Sequence, residues 1–189
     1  MTYEDQSFPR PLKLTVDNFM ALHEAGAFDG LSKVELIDGE MLTMSPQHRP
    51  HARVKSRLHL RLGIALSALD SALEAIVEGT VVMSSRDAPE PDIVVTSEPE
   101  GDGLIPVSSV ELVIEIADSS YPFDAKGKAE LYARHRIPEY WVIGLPVESV
   151  EQFWAPTGGA YTQRKKIALG QQIESVNIPG LVVETNRLL

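Results

Sequence analysis

Two short β-branched runs in this chain each carry a carboxylate where a core strand would take another aliphatic side chain. Pro91-Asp92-Ile93-Val94-Val95 is entered through Pro89 and Pro91, and Glu111-Leu112-Val113-Ile114-Glu115-Ile116-Ala117 is the best central-strand candidate in the sequence. An ionised carboxylate in a buried strand is costly unless something cationic meets it. Any fold built around these runs must therefore bring positive charge to Asp92 and Glu115. A turn, Asp118-Ser119-Ser120-Tyr121-Pro122, follows the second run, and a helical segment over about 124–134 carries Lys126 and Lys128. Asp92 and Glu115 sharing a divalent ion, with Lys128 completing the site, is the reading this pattern supports. Two carboxylates and water make an oxygen-rich site suited to magnesium or manganese rather than zinc.

The flanking segments supply the rest of a mixed fold. Thr15 is placed to cap a helix bearing Val16, Phe19, Met20 and Leu22 that stops near Gly26. Val34-Glu35-Leu36-Ile37 and Glu40-Met41-Leu42-Thr43-Met44 flank Asp38-Gly39, a type I′ hairpin signal. A long helix is expected over about 51–73, with Val54, Leu58, Leu62, Ala65, Leu66 and Leu69 on one side. Ala75-Ile76-Val77 and Thr80-Val81-Val82-Met83 read as strands around Glu78-Gly79, residues 96–109 as an exposed loop, and Tyr140-Trp141-Val142-Ile143 as a buried strand. Residues 150–174 read as a meander, and the apolar tail from Ile178 to Leu189 as a docked segment. With no repeat and no convincing linker, residues 1–189 read as one α/β (α+β) domain, long enough to bury a substantial core.

Charge and composition narrow the function. There is no cysteine, which excludes thiolate zinc sites, iron–sulfur clusters, a cysteine nucleophile and disulfides, and agrees with a cytoplasmic location. The first fourteen residues lack the apolar stretch of a signal peptide, and no run reaches the length of a membrane span. There is neither a G-x-S-x-G elbow nor a phosphate-binding glycine loop. The net charge of −10 opposes encounter with nucleic acid, so such a function must rest on a local basic patch and on metal. Arg49, Arg53, Lys55, Arg57 and Arg61 provide one: a local +5, which leaves −15 for the remainder of the chain. Arg53, Arg57 and Arg61 recur every four residues on one helix face, either as a solvated face or as a ridge for phosphate.

In their order along the chain, Pro91-Asp92, Glu115 and Lys128 resemble the PD-(D/E)xK nuclease superfamily. More narrowly, the chain is similar to the Uma-type restriction endonucleases. The pieces that carry the resemblance are Glu35-Leu36-Ile37-Asp38-Gly39-Glu40, His51-Ala52-Arg53, Pro91-Asp92-Ile93-Val94-Val95, Leu112-Val113-Ile114-Glu115-Ile116, Asp118-Ser119-Ser120 through Asp124 to Lys128, Leu131-Tyr132-Ala133 and Ile137-Pro138-Glu139-Tyr140-Trp141. The resemblance implies a restriction-endonuclease-like mixed sheet flanked by helices, with an N-terminal hairpin and a C-terminal meander. It also implies magnesium- or manganese-dependent phosphodiester cleavage of nucleic acid, DNA first. Carried over by position, Asp92 and Glu115 are metal ligands with the main-chain carbonyl of Ile116, and Glu35 is a further acid. One departure stands out: the lysine expected two residues after the second carboxylate is replaced by Ala117, so Lys128 takes that role with Lys126 in reserve. Cutting both strands of a duplex is easiest for a homodimer. The rival readings are a nuclease-fold binding or scaffold protein that no longer cuts, and a metal-dependent phosphoesterase acting on a small substrate.

Overall fold

The computed structural model describes residues 11–189; the expectation made for residues 1–10, that they form no signal peptide, lies outside the described residues. Helix α1 (Val16–Glu24) begins where expected, because Thr15 and Asn18 form a reciprocal capping box. Strands β1 (Val34–Ile37) and β2 (Glu40–Thr43) pair antiparallel about Asp38 and Gly39, both at positive φ, as a type I′ turn requires. Helix α2 (Arg49–Ala68) starts earlier than the sequence reading and ends five residues sooner. It stops because the chain turns left-handed at Asp70, which ends the run of helical dihedrals.

Strands β3 (Glu74–Val77), β4 (Val81–Val82), β5 (Ile93–Thr96), β6 (Ile105–Pro106) and β7 (Val110–Ala117) follow. β3 and β4 do not form a hairpin about Glu78-Gly79: β3 joins the main sheet beside β5, while β4 pairs in parallel with β6. The loop expected to be exposed is thus partly ordered, with Ile105 and Ser109 buried. After β7 come a π-helical turn (Phe123–Lys128), α3 (Ala129–Arg134), β8 (Glu139–Gly144), β9 (Ser149–Thr157), β10 (Ala160–Ala168), β11 (Gln172–Glu174) and β12 (Val182–Glu184).

Six strands make the central sheet in the order β10-β9-β8-β7-β5-β3. All neighbours are antiparallel except β7 and β8, which run parallel and therefore need the crossover through α3. β9 and β10 form the expected C-terminal hairpin and make a meander with β8, whereas β11, expected to continue it, pairs instead with β12 in a separate two-stranded sheet. Both sheet faces are covered. Leu112, Ile114 and Ile116 of β7 pack with Val54, Leu58, Leu62 and Leu66 of α2 and with the docked tail residues Leu181, Val183 and Leu188. Val113 and Ala117 point the other way, into a cluster with Leu131 and Tyr132 of α3, Tyr140 and Phe153. Alternation along β7 puts Glu115 on this second face, so the crossover that begins at the end of β7 passes directly over it. No helix among the described residues is long and apolar enough to cross a membrane.

Candidate active site

The register of β5 and β7 decides how the two strand carboxylates meet. Ile93 opposes Ile114 in the antiparallel ladder, so the residues one step further out, Asp92 and Glu115, face each other across the pair and point to the same side. The ladder stops there because Pro91 has no N–H to offer. Asp92 takes over: its Oδ2 accepts the Ile116 N–H at 2.8 Å, and its own N–H points to Glu115 Oε2 at 3.4 Å. Both acids line a cavity of about 560 Å³ together with Ile116, Lys33, His51 and Lys128.

Lys128 reaches this point because the crossover lays its first turns over the end of β7. Its ammonium donates to Glu115 Oε1 at 2.8 Å and to Glu35 Oε1 at 3.0 Å. Its side chain is 1% exposed, while Lys126 is exposed, so Lys128 is the lysine at the acids. The β1–β2 hairpin brings Glu35: Leu36 exchanges backbone hydrogen bonds with Ala88, and the carboxylate of Asp87 accepts the Asp38 N–H at the turn. Glu35 is fully buried, and its Oε2 has no hydrogen-bond partner. The Tyr132 hydroxyl donates to Glu115 Oε1 at 2.7 Å.

The N-terminal half of α2 and the residues just before it supply donors to Asp92. His51 Nε2 lies 3.1 Å from Oδ2, while Lys55 Nζ at 3.5 Å and Gln47 Nε2 at 3.3 Å lie near Oδ1. Lys33 stands 3.3 Å from Glu35, and Asp124 lines the cavity, held by the Ser120 hydroxyl. The sequence reading left Lys33 and Gln47 unassigned, counted Lys55 only in the basic patch, and named His51, Asp124 and Tyr132 only within the matching stretches, with no role at the acids. Two signals were available: Lys33 and Glu35 share a strand face two residues apart, and His51 and Lys55 share a helix face four apart.

The electrostatics follow from crowding acids in a buried place. Burial pushes the Glu115 carboxyl up to about 7, against the pull of Lys128 and with the push of the Asp92 charge. For Asp92 burial also opposes ionisation, but the hydrogen bond and charge of His51, the Lys33 charge and the Ile116 N–H outweigh it and hold the group down at about 2. Burial disfavours the Lys128 ammonium, yet Glu115, Glu35 and Asp124 more than offset it, so its pKa rises above the ordinary lysine value. Lys33 is raised in the same way, burial being outweighed chiefly by Glu115 and Glu35.

Do these residues suit a divalent ion? No group of three or more His, Asp and Glu side chains among the described residues converges on one point. The oxygen donors at the cavity are therefore the Asp92/Glu115 carboxylates, and the main-chain oxygen of Ile116, which lines the same cavity, is the third candidate. All are hard oxygen donors, the set that magnesium and manganese favour. Glu35 Oε2 is buried without a hydrogen-bond partner, and burial holds the Glu115 carboxyl up despite Lys128. A cation at these acids would offset that burial cost, so the donor set fits.

The arginine face is different. Arg57 donates to the backbone oxygens of Arg187, Leu188 and Leu189, and Arg61 donates to that of Glu184. Three of these carbonyls follow β12 and the fourth is that of its last residue, so each of the two guanidiniums spends one nitrogen on the tail. Arg53 alone of the three is exposed without a hydrogen bond among the described residues.

No curated protein matches this chain in sequence. A protein of Anabaena variabilis, solved by crystallography and described as a "putative nuclease belonging to DUF820", superposes with a TM-score of 0.67 over 87% of this chain and 89% of its own. At 15% identity that likeness is one of fold. In sequence, residues 16–186 match the family Uma2, described as "Putative restriction endonuclease", and the chain belongs to that family.

Proposed function

We propose that this cleft hydrolyses phosphodiester bonds in nucleic acid, DNA in the first instance, with magnesium or manganese held by Asp92, Glu115 and the Ile116 carbonyl. The observation that carries the reading is the cross-strand pair of buried carboxylates opening on a cavity, with a buried lysine bridging Glu115 to Glu35. When bound, the ion supplies polarisation of a phosphoryl oxygen and lowers the pKa of water.

The chain's own residues do the rest. Asp92 is ionised at any ordinary pH and is fixed in orientation by the Ile116 N–H and His51. Lys128 keeps its proton, so it acts as a fixed positive charge that orients Glu115 and stabilises charge developing on the phosphate; it is no general base. Lys33 lines the same cavity and offers a second ammonium to the phosphate. Tyr132, its pKa raised by burial and by Glu115, remains a neutral phenol that locks the Glu115 rotamer. Membership of the family supports the same activity.

The test is conversion of supercoiled plasmid with magnesium or manganese by the wild type, Asp92→Ala and Glu115→Ala. Wild type is expected to cut, and each variant to lose on the order of 10²–10³-fold in rate, the worth of several kcal/mol of charge stabilisation. Equal behaviour of all three proteins removes the proposal. The proposal extends to two copies acting together on a duplex: linear product without accumulating nicked circle supports pairing, and nicked circle alone speaks against it. A nuclease-fold protein that binds without cutting is the rival, favoured by the fact that Lys128 already neutralises Glu115. Binding without cleavage in the same assay selects it.

A further inference from the structure

Arg57 and Arg61 each spend one guanidinium nitrogen on the tail, and the sheet register indicates a second basic surface. β10 is an edge strand carrying Arg164, Lys165 and Lys166 in succession, all exposed. In a chain of net charge −10, none of the three forms an ion pair among the described residues. The cross-strand row through the catalytic acids ends on this strand: Glu115 opposes Val142, Val142 opposes Glu151, and Glu151 opposes Lys166. Directly opposed residues share a face, so Lys166 stands on the same side of the sheet as Glu115. Arg164, two residues away, stands there too, opposite Phe153, whereas Lys165 points to the other face.

Lys166 makes no ion pair with the acid opposite it. The acid beside it, Glu151, is taken by the Tyr121 hydroxyl from the segment that follows the cavity rim at Ser119 and Ser120. Three strand spacings separate Glu115 from Lys166, about 14 Å, with the crossover that buries Val142 lying over the sheet between them. Along a duplex at about 3.4 Å per base pair, that distance spans roughly four base pairs.

We propose that the face of β10 bearing Arg164 and Lys166 is a rail for a nucleic-acid backbone, holding phosphates about four base pairs from the one placed at Asp92 and Glu115. This rests on the nuclease reading for its substrate and adds the surface that grips it. Cations on an edge strand also serve to block edge-to-edge pairing, but that service is indifferent to which face each one occupies. The rail is not.

The test is fluorescence anisotropy of a labelled 20-base-pair duplex across a salt series, with calcium as a hard oxygen-binding ion. The proteins are wild type, Arg164→Gln/Lys166→Gln and Lys165→Gln, all changed at exposed positions. Each phosphate contact contributes about 0.9 to the slope of log affinity against log salt. The double variant is therefore expected to lower that slope by about 1.8, and Lys165→Gln to leave it unchanged. An unchanged slope in the double variant, an equal loss in Lys165→Gln, or no binding by wild type overturns the rail. Its failure is separable from that of hydrolysis. Plasmid cleavage with an unchanged double-variant slope sinks the rail alone. A lowered slope without cleavage upholds the rail and removes the hydrolytic reading.

Discussion

Lys128→Met is expected to destabilise the protein by about 3–5 kcal/mol, the cost of leaving buried charge without its partner. Methionine fills nearly the same space, so the loss is electrostatic rather than one of packing. Glu35 is 0% exposed and Glu115 3%, and Lys128 is within hydrogen-bonding distance of both. One Glu35 oxygen already lacks a partner, and the substitution strips the other of its 3.0 Å donor. Chemical denaturation of the metal-free protein measures the effect. In a Glu35→Gln/Glu115→Gln background the same substitution should cost much less, because no carboxylate is then stranded. A loss below about 1 kcal/mol in the otherwise wild-type chain would mean that the three groups are far more hydrated than their burial states.

The second large effect is a dependence of stability on pH. The folded-state pKa of Glu115 is raised from 4.5 to about 7 by burial and by the Asp92 charge, despite Lys128. A carboxyl raised in this way binds its proton in the folded chain at pH values where the unfolded chain has released it. Its contribution is therefore fully present below about pH 4.5 and lost as pH rises through about 7, for a total on the order of 3 kcal/mol. Asp92 acts in the opposite sense, with a folded value of about 2 against 3.8, so its contribution is lost as pH falls through that lower window. Metal-free protein should thus be most stable near pH 4–5 and weaken toward pH 8. Glu115→Gln should flatten the upper part of that curve while leaving the acid limb in place. Thermal unfolding across pH in a chelating buffer reads both limbs, and a wild-type curve that rises from pH 5 to 8 contradicts the assignment.

Much of this arrangement was legible in the sequence because it depends on short-range rules. Pro91 fixes where β5 begins, and Asp38-Gly39 fixes the hairpin that carries Glu35. The uninterrupted apolar run around Glu115 allows only a doubly covered strand. Lys128, with Lys126 in reserve, came from the family resemblance, because the sequence pattern alone places both lysines on the same helical segment. What stayed hidden depends on partners remote in sequence. The i, i+4 stripe of Arg53, Arg57 and Arg61 looks the same whether it faces phosphate or carbonyls more than 120 residues away. The pairing of β4 with β6 likewise joins segments whose few residues carry no periodicity. Lys33 was overlooked because it precedes β1 and reads as a surface lysine, although the alternation that buries Glu35 also turns Lys33 toward the same acids.

Calorimetric titration of manganese and magnesium into wild type, Asp92→Ala and Glu115→Ala addresses the joint grip of the two strand carboxylates on one cation. One bound ion per wild-type chain, with binding lost or greatly weakened in each variant, is the result expected. Indistinguishable isotherms for the three proteins, or no uptake of either ion by the wild type, would contradict it.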